Sequence, residues 1–99
     1  MSSTQRNLAG RTALVTGATA GIGRAAAVQL ARDGAEVIVH GRDADRGEQV
    51  VTEIVREGGK ARFIAADLAD PAEIRHLADE AGQVDVLVNR HRQLAEVVW

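Results

Sequence analysis

The stretch Thr12-Ala13-Leu14-Val15-Thr16-Gly17-Ala18-Thr19-Ala20-Gly21-Ile22-Gly23 decides how the rest of this 99-residue chain is read. Its first five residues form a short, largely apolar run ended by glycine, the pattern of a strand buried on both faces of a parallel sheet. Glycines then stand at 17, 21 and 23, ahead of an alanine-rich segment. A helix N-terminus offers unpaired amide donors and the positive end of the helix dipole, so anions bind there. Glycine lets the backbone turn sharply and approach a pyrophosphate without a Cβ clash. On this reading Gly17 makes the turn, Gly21 admits the phosphates, Gly23 lets the helix pack on the strand, and Thr19 adds a hydroxyl donor. A glycine-rich turn with no ligand is the plain alternative; the order strand, motif, helix favours nucleotide binding. The missing Gly-Lys-Ser/Thr excludes a P-loop, and G-x-x-x-G-x-G differs from the commoner G-x-G-x-x-G.

Downstream, the same alternation continues. Ile22 to Asp33 reads as a helix with Ile22, Ala26 and Leu30 on one stripe, ended by Gly34. Glu36 to His40 is a second β-branched run. Asp45 to Glu57 is a helix with Val50, Val51, Ile54 and Val55 on one face and Gly58-Gly59 as its stop. Arg62 to Ala66 is a third strand. Asp70 caps the third helix, with Pro71 at its first position and Glu73 placed as in a capping box. Ile74, Leu77, Ala78 and Ala81 form its apolar stripe, Gly82 ends it, and Val84 to Val88 is a fourth strand.

Strands alternating with helices indicate βαβ units and a parallel α/β sheet. Right-handed crossovers put the first two helices on one face and, if strand 4 lies beside strand 1, the third helix on the other. The expected order is 3-2-1-4, an incomplete doubly wound, Rossmann-like sheet. Residues 1–10 read as a flexible lead-in, 11–89 as the folded unit and 90–99 as a tail.

Composition narrows the chemistry. The chain is 45% hydrophobic and 26% charged, as in globular domains, with Phe63 and Trp99 its only aromatics and no cysteine or tyrosine. No cysteine excludes disulfides, a thiolate nucleophile and cysteine-ligated metal. A net charge of −2 and scarce aromatics argue against nucleic acid. Neither a membrane span nor a signal-peptide core is present, which implies a cytoplasmic protein. His40, His76 and His91 lack metal-ligand spacing, so no metal site is expected and their roles read as exposed or incidental.

Thr16 to Gly23 resembles the T-G-x-x-x-G-I-G motif of the short-chain dehydrogenase/reductase family. The resemblance continues through Val37-Ile38-Val39-His40-Gly41-Arg42, Ala66-Asp67-Leu68 and Val84-Asp85-Val86-Leu87-Val88-Asn89. It implies a dinucleotide cofactor held by Gly17, Thr19, Gly21, Ile22, Gly23, Arg42, Asp67, Leu68 and Asn89. At the end of the second strand, where NAD sites use an acidic residue, this chain has Gly41 and then Arg42. A guanidinium there suits the 2′-phosphate of NADP rather than NAD, although a solvated loop arginine is the alternative and Asp43 stands next to it. Asp67 and Leu68 would flank the adenine, or else simply lead into the third helix, and Asn89 would lie beside the adenosine ribose.

After Asn89 the family pattern stops. The serine and the Tyr-x-x-x-Lys pair that the family uses for proton transfer have no counterpart: there is no tyrosine, Lys60 precedes the third strand, and Ser2 and Ser3 are N-terminal. No catalytic residue is therefore assigned. The expectation is the cofactor-binding half of an NADP(H)-dependent oxidoreductase for an alcohol or carbonyl substrate, catalytically incompetent alone. A non-catalytic nucleotide-binding or regulatory module and one half of a split enzyme are the alternatives. The switch to Arg90-His91-Arg92 is what a reading-frame shift near codon 90 produces; a genuine short protein, with a helix from Gln93 to Trp99, is the other possibility. An uncovered sheet face and an open fourth-strand edge would favour self-association.

Overall fold

The computed structural model describes residues 8–18, 21–89 and 96–97. Within them the order is β1 (Thr12–Thr16), α1 (Gly21–Arg32), β2 (Glu36–Gly41), α2 (Ala44–Arg56), β3 (Lys60–Ala65), α3 (Pro71–Ala81), β4 (Val86–Asn89) and β5 (Glu96–Val97). The sheet runs β3-β2-β1-β4-β5, and its first four strands are parallel. The expected order 3-2-1-4 is therefore present.

Strand alternation divides the core in two, because successive side chains point to opposite faces. Ala13, Val15, Val37 and Val39 pack with Ala27 and Val28 of α1 and Val50 and Ile54 of α2. Leu14, Ile38 and Ile64 pack with Leu77 and Ala81 of α3 and with Val84. Two helices thus cover one face and one helix the other. Leu8 also reaches the first core, and its amide donates to the Asp33 carbonyl at 3.0 Å.

The helices are rotated from the stripes expected of them. In α1 the buried positions are Gly23, Ala27 and Val28, while Ile22 is 66% exposed. The reason is local: Gly23 must face the β1 turn, because a Cβ there would overlap the Gly17 carbonyl oxygen. Turning Gly23 inward turns Ile22 outward, since adjacent helical residues lie about 100° apart. In α2 Val50 and Ile54 are buried but Val55 is exposed, and in α3 Leu77 and Ala81 are buried while Ile74 and Ala78 are exposed.

Asp70 caps α3, but the capping box is not formed. Its carboxylate accepts from the Ala72 amide at 2.9 Å. Glu73 does not reach back to the Asp70 amide, which already donates to the Asp67 carbonyl at 3.0 Å; it accepts instead from the Asp67 amide at 2.7 Å.

The outer edge of β4 is not left open along its whole length. β5 pairs with it antiparallel, Leu87 opposite Val97 and Val88 opposite Glu96. Glu96–Val97 are thus a strand, not part of the alternative helix from Gln93 to Trp99. A ladder so short satisfies backbone groups that the β4 edge would otherwise present.

Candidate functional site

All four parallel strands end at one edge of the sheet, and the loops after β1, β2 and β3 meet there. α1 and α3 lie on opposite faces, so the chain reverses direction between β1 and β4. Open α/β sheets bind ligands at such a switch point. A cleft of about 510 Å³ opens here, lined by Gly17, His40, Gly41, Arg42, Asp43, Ala66, Asp67, Leu68 and Ala69.

The glycines occupy the conformations the motif requires. Gly17 and Gly21 have φ of 64° and 61°, left-handed values that favour glycine. Gly23 sits against the Gly17 carbonyl, which brings the start of α1 close to the end of β1. α2 and α3 carry their own carboxylates at the N-terminus, Asp43 and Asp70 as caps with Asp45 and Glu73 in the first turn, whereas the first turn of α1 contains no acidic residue. The positive end of α1 is thus not neutralised from within its first turn.

The cleft brings Gly17, Arg42, Asp67 and Leu68 together. Gly21, Ile22 and Gly23 stand in the first turn of α1. Thr19 lies outside the described residues. Asn89 pairs in register with Thr16 at the end of β4, so its backbone is at the same sheet edge. Arg42 is exposed and makes no hydrogen bond or ion pair among the described residues. Asp43 is committed elsewhere: it accepts from the Arg46 amide at 3.2 Å and pairs with the Arg46 guanidinium at 3.6 Å. One Asp67 oxygen accepts from the Ala69 amide at 2.9 Å; the other oxygen and the Leu68 amide have no partner among the described residues.

His40 is the residue that sequence reading misjudged. It is only 4% exposed. The Gly17 amide donates to its Nδ1 at 3.2 Å, its Nε2 lies 2.9 Å from the Ala66 carbonyl, and the Ala18 amide donates to its own carbonyl at 2.9 Å. Nδ1 therefore accepts and Nε2 carries the proton, which defines a neutral imidazole. The Gly17 amide is consumed in this contact, so the donors left for an anion are those at the start of α1. The only sequence hint was position: His40 is a polar residue at the end of a strand whose other residues, from Val37, are apolar.

Among the described residues no cluster of three or more His, Asp or Glu side chains is placed to hold a metal ion, and no helix is long and apolar enough to cross a membrane.

A parallel sheet of this order, with a glycine turn leading into a helix at its switch point, places the molecule in the Rossmann-like α/β class. The family model described as short chain dehydrogenase matches residues 11–90, and the chain belongs to that family. A hydroxynaphthalene reductase-like protein, Arp2, from Metarhizium guizhouense is 43% identical over 91 residues, which cover 87% of this chain and 34% of that protein. A 7α-hydroxysteroid dehydrogenase solved with NADH superposes with a TM-score of 0.83 at 40% identity, covering 90% of this chain and 36% of its own. A metagenomic short-chain oxidoreductase solved with NADP gives 0.74 at 39% identity, covering 81% and 38%. The chain thus spans about a third of the length of the relatives it matches.

Proposed function

We propose that this chain holds the adenosine and phosphate end of NADP(H), as the cofactor-binding portion of a short-chain oxidoreductase for an alcohol or carbonyl substrate. The observation that carries the reading is the cleft shared by Gly17, Arg42 and Asp67, in which Arg42 has no carboxylate partner among the described residues while Asp43 is tied to Arg46. The donor set suits that end of the cofactor. Amides of Gly21, Ile22 and Gly23 at the start of α1, with Thr19, would hold the pyrophosphate. Arg42 would pair with the 2′-phosphate, which Gly41 leaves room for and no acidic side chain at position 41 repels. The second Asp67 oxygen would accept from the adenine amine and the Leu68 amide would donate to the ring, with Asn89 beside the ribose.

The nicotinamide ring, when bound, supplies the hydride chemistry. With no tyrosine in its 99 residues, this chain has no phenol to pass a proton to a substrate oxygen. By itself it therefore binds cofactor without turning over substrate. Residues 11–89 act as the binding unit, in a water-soluble protein that associates with itself through the exposed sheet face and edge strand.

Titrating the full chain with NADPH and NADH tests this. NADPH binds more tightly than NADH, and Arg42→Ala weakens NADPH while leaving NADH unchanged. Failure of both cofactors to bind at millimolar concentration would refute the reading.

A further inference from the structure

Two hydrogen bonds at the cleft share one peptide group, and a third joins it to the glycine turn. The Ala66 carbonyl faces His40 Nε2 at 2.9 Å, and the Asp67 amide donates to Glu73 at 2.7 Å. That carbonyl and that amide belong to the same peptide unit. A trans peptide holds its C=O and N–H on opposite sides, so His40 from β2 and Glu73 from α3 grip it from two directions. His40 in turn accepts from the Gly17 amide at 3.2 Å. All the bonds point one way, from the Gly17 amide through the imidazole and the Ala66–Asp67 peptide to the Glu73 carboxylate.

We infer that His40 and Glu73 are positioning residues that act as one relay, setting the Ala66–Asp67 peptide against the glycine turn and so presenting Asp67 and Leu68 to the cofactor. The inference rests on the cofactor reading above for its consequence, though not for its geometry. Aligned hydrogen bonds polarise one another, and a chain that ends on a carboxylate gains from the charge. Rotating the Ala66–Asp67 peptide would break the His40 and Glu73 contacts together. His40 is buried and both its nitrogens are engaged, whereas Glu73 is exposed, so the relay runs from the interior to the surface. Neither residue needs to touch the cofactor: each acts on the backbone that does.

The test uses the full chain with His40→Phe, Glu73→Ala, Glu73→Gln and the double variant H40F/E73A. Amide hydrogen exchange without cofactor reads the relay, and NADPH titration reads its consequence. Glu73→Ala raises exchange at the Gly17 amide and His40→Phe raises it at the Asp67 amide, although neither side chain bonds the amide that responds. Long-range nitrogen NMR shows the His40 proton on Nε2. His40→Phe and Glu73→Ala each weaken NADPH about tenfold, the double variant is little worse than H40F, and Glu73→Gln, which keeps an acceptor oxygen, retains most of the affinity. Glu73 is exposed, so its variants carry the test should His40→Phe unfold. Unchanged exchange at Gly17 in Glu73→Ala, a proton on Nδ1, or wild-type NADPH affinity in Glu73→Ala would overturn the relay. Coupled exchange in a chain that takes no NADPH would uphold the relay and overturn the cofactor reading.

Discussion

Asp85 and Thr12 exchange two hydrogen bonds: the Thr12 amide donates to the Asp85 carboxylate at 2.8 Å, and the Asp85 amide donates to the Thr12 carbonyl at 2.8 Å. The pair staples the start of β1 to the approach of β4, the crossover that defines the switch point. Asp85→Ala leaves the partly buried Thr12 amide unpaired and costs about 1–3 kcal/mol. Chemical denaturation measures this as a lower midpoint with an unchanged slope.

Gly23→Ala places a Cβ on the Gly17 carbonyl oxygen and 3.1 Å from its carbon, contacts with rigid backbone. Either α1 shifts outward or the turn deforms, at a cost on the order of 1–3 kcal/mol. Thermal unfolding reads the loss. Ala27→Gly, also on the buried face of α1, costs stability without touching the turn and is the control for cofactor binding, which Gly23→Ala weakens disproportionately.

Asp70→Ala removes the cap from α3, whose Ala72 amide then lacks its acceptor at 2.9 Å. The expected loss is about 1 kcal/mol, with faster amide exchange confined to the first turn of the helix. Asp70→Ser retains most of the stability.

Arg32 and Glu57 form a two-point pair joining α1 to the end of α2, at 2.9 and 3.1 Å. The hydrogen bonds from Arg32, more than its charge, hold the Glu57 carboxyl below its ordinary range, and Glu57 in turn raises Arg32. A depressed carboxyl stabilises the fold above its unfolded pKa, and that contribution fades as pH falls through the folded value. A raised guanidinium contributes below its unfolded pKa and loses that only in strong alkali. Both contributions are therefore present at neutral pH. Glu57→Gln lowers the melting temperature slightly at pH 7, and the difference disappears in acid and shrinks in high salt, because both side chains are solvated. A difference that persisted at acid pH would assign the effect to packing.

Much of the fold was legible because its signals are local. Gly17, Gly21 and Gly23 occupy the backbone positions read from their spacing, and Asp70 with Pro71 starts α3 as read. The faces of the helices were less legible. Four-residue spacing allowed Ile22, Ala26 and Leu30 as a stripe, but the contact of Gly23 with Gly17 sets the rotation of α1, and sequence spacing alone does not weigh that contact. Glu73 misled for a related reason: the amide it was expected to cap is taken by the Asp67 carbonyl, so the longer side chain reaches past it.

By itself, the sequence determined the alternation of strands and helices, the parallel sense of the sheet and the glycine turn at the head of α1, while the place of β4 beside β1 was an expectation that the structure bears out. The first three follow from periodicity, backbone freedom and handedness, which act over neighbouring residues or over any βαβ unit. Tertiary structure alone decided which loop residues hold one another. His40 meets Gly17 and Ala66 across 23 and 26 residues of chain, and Asp85 meets Thr12 across 73. Such partners exist only once the strand register has brought the strand ends together, and the local sequence offered only the position of His40 at the end of an apolar run, which does not name the groups it bonds.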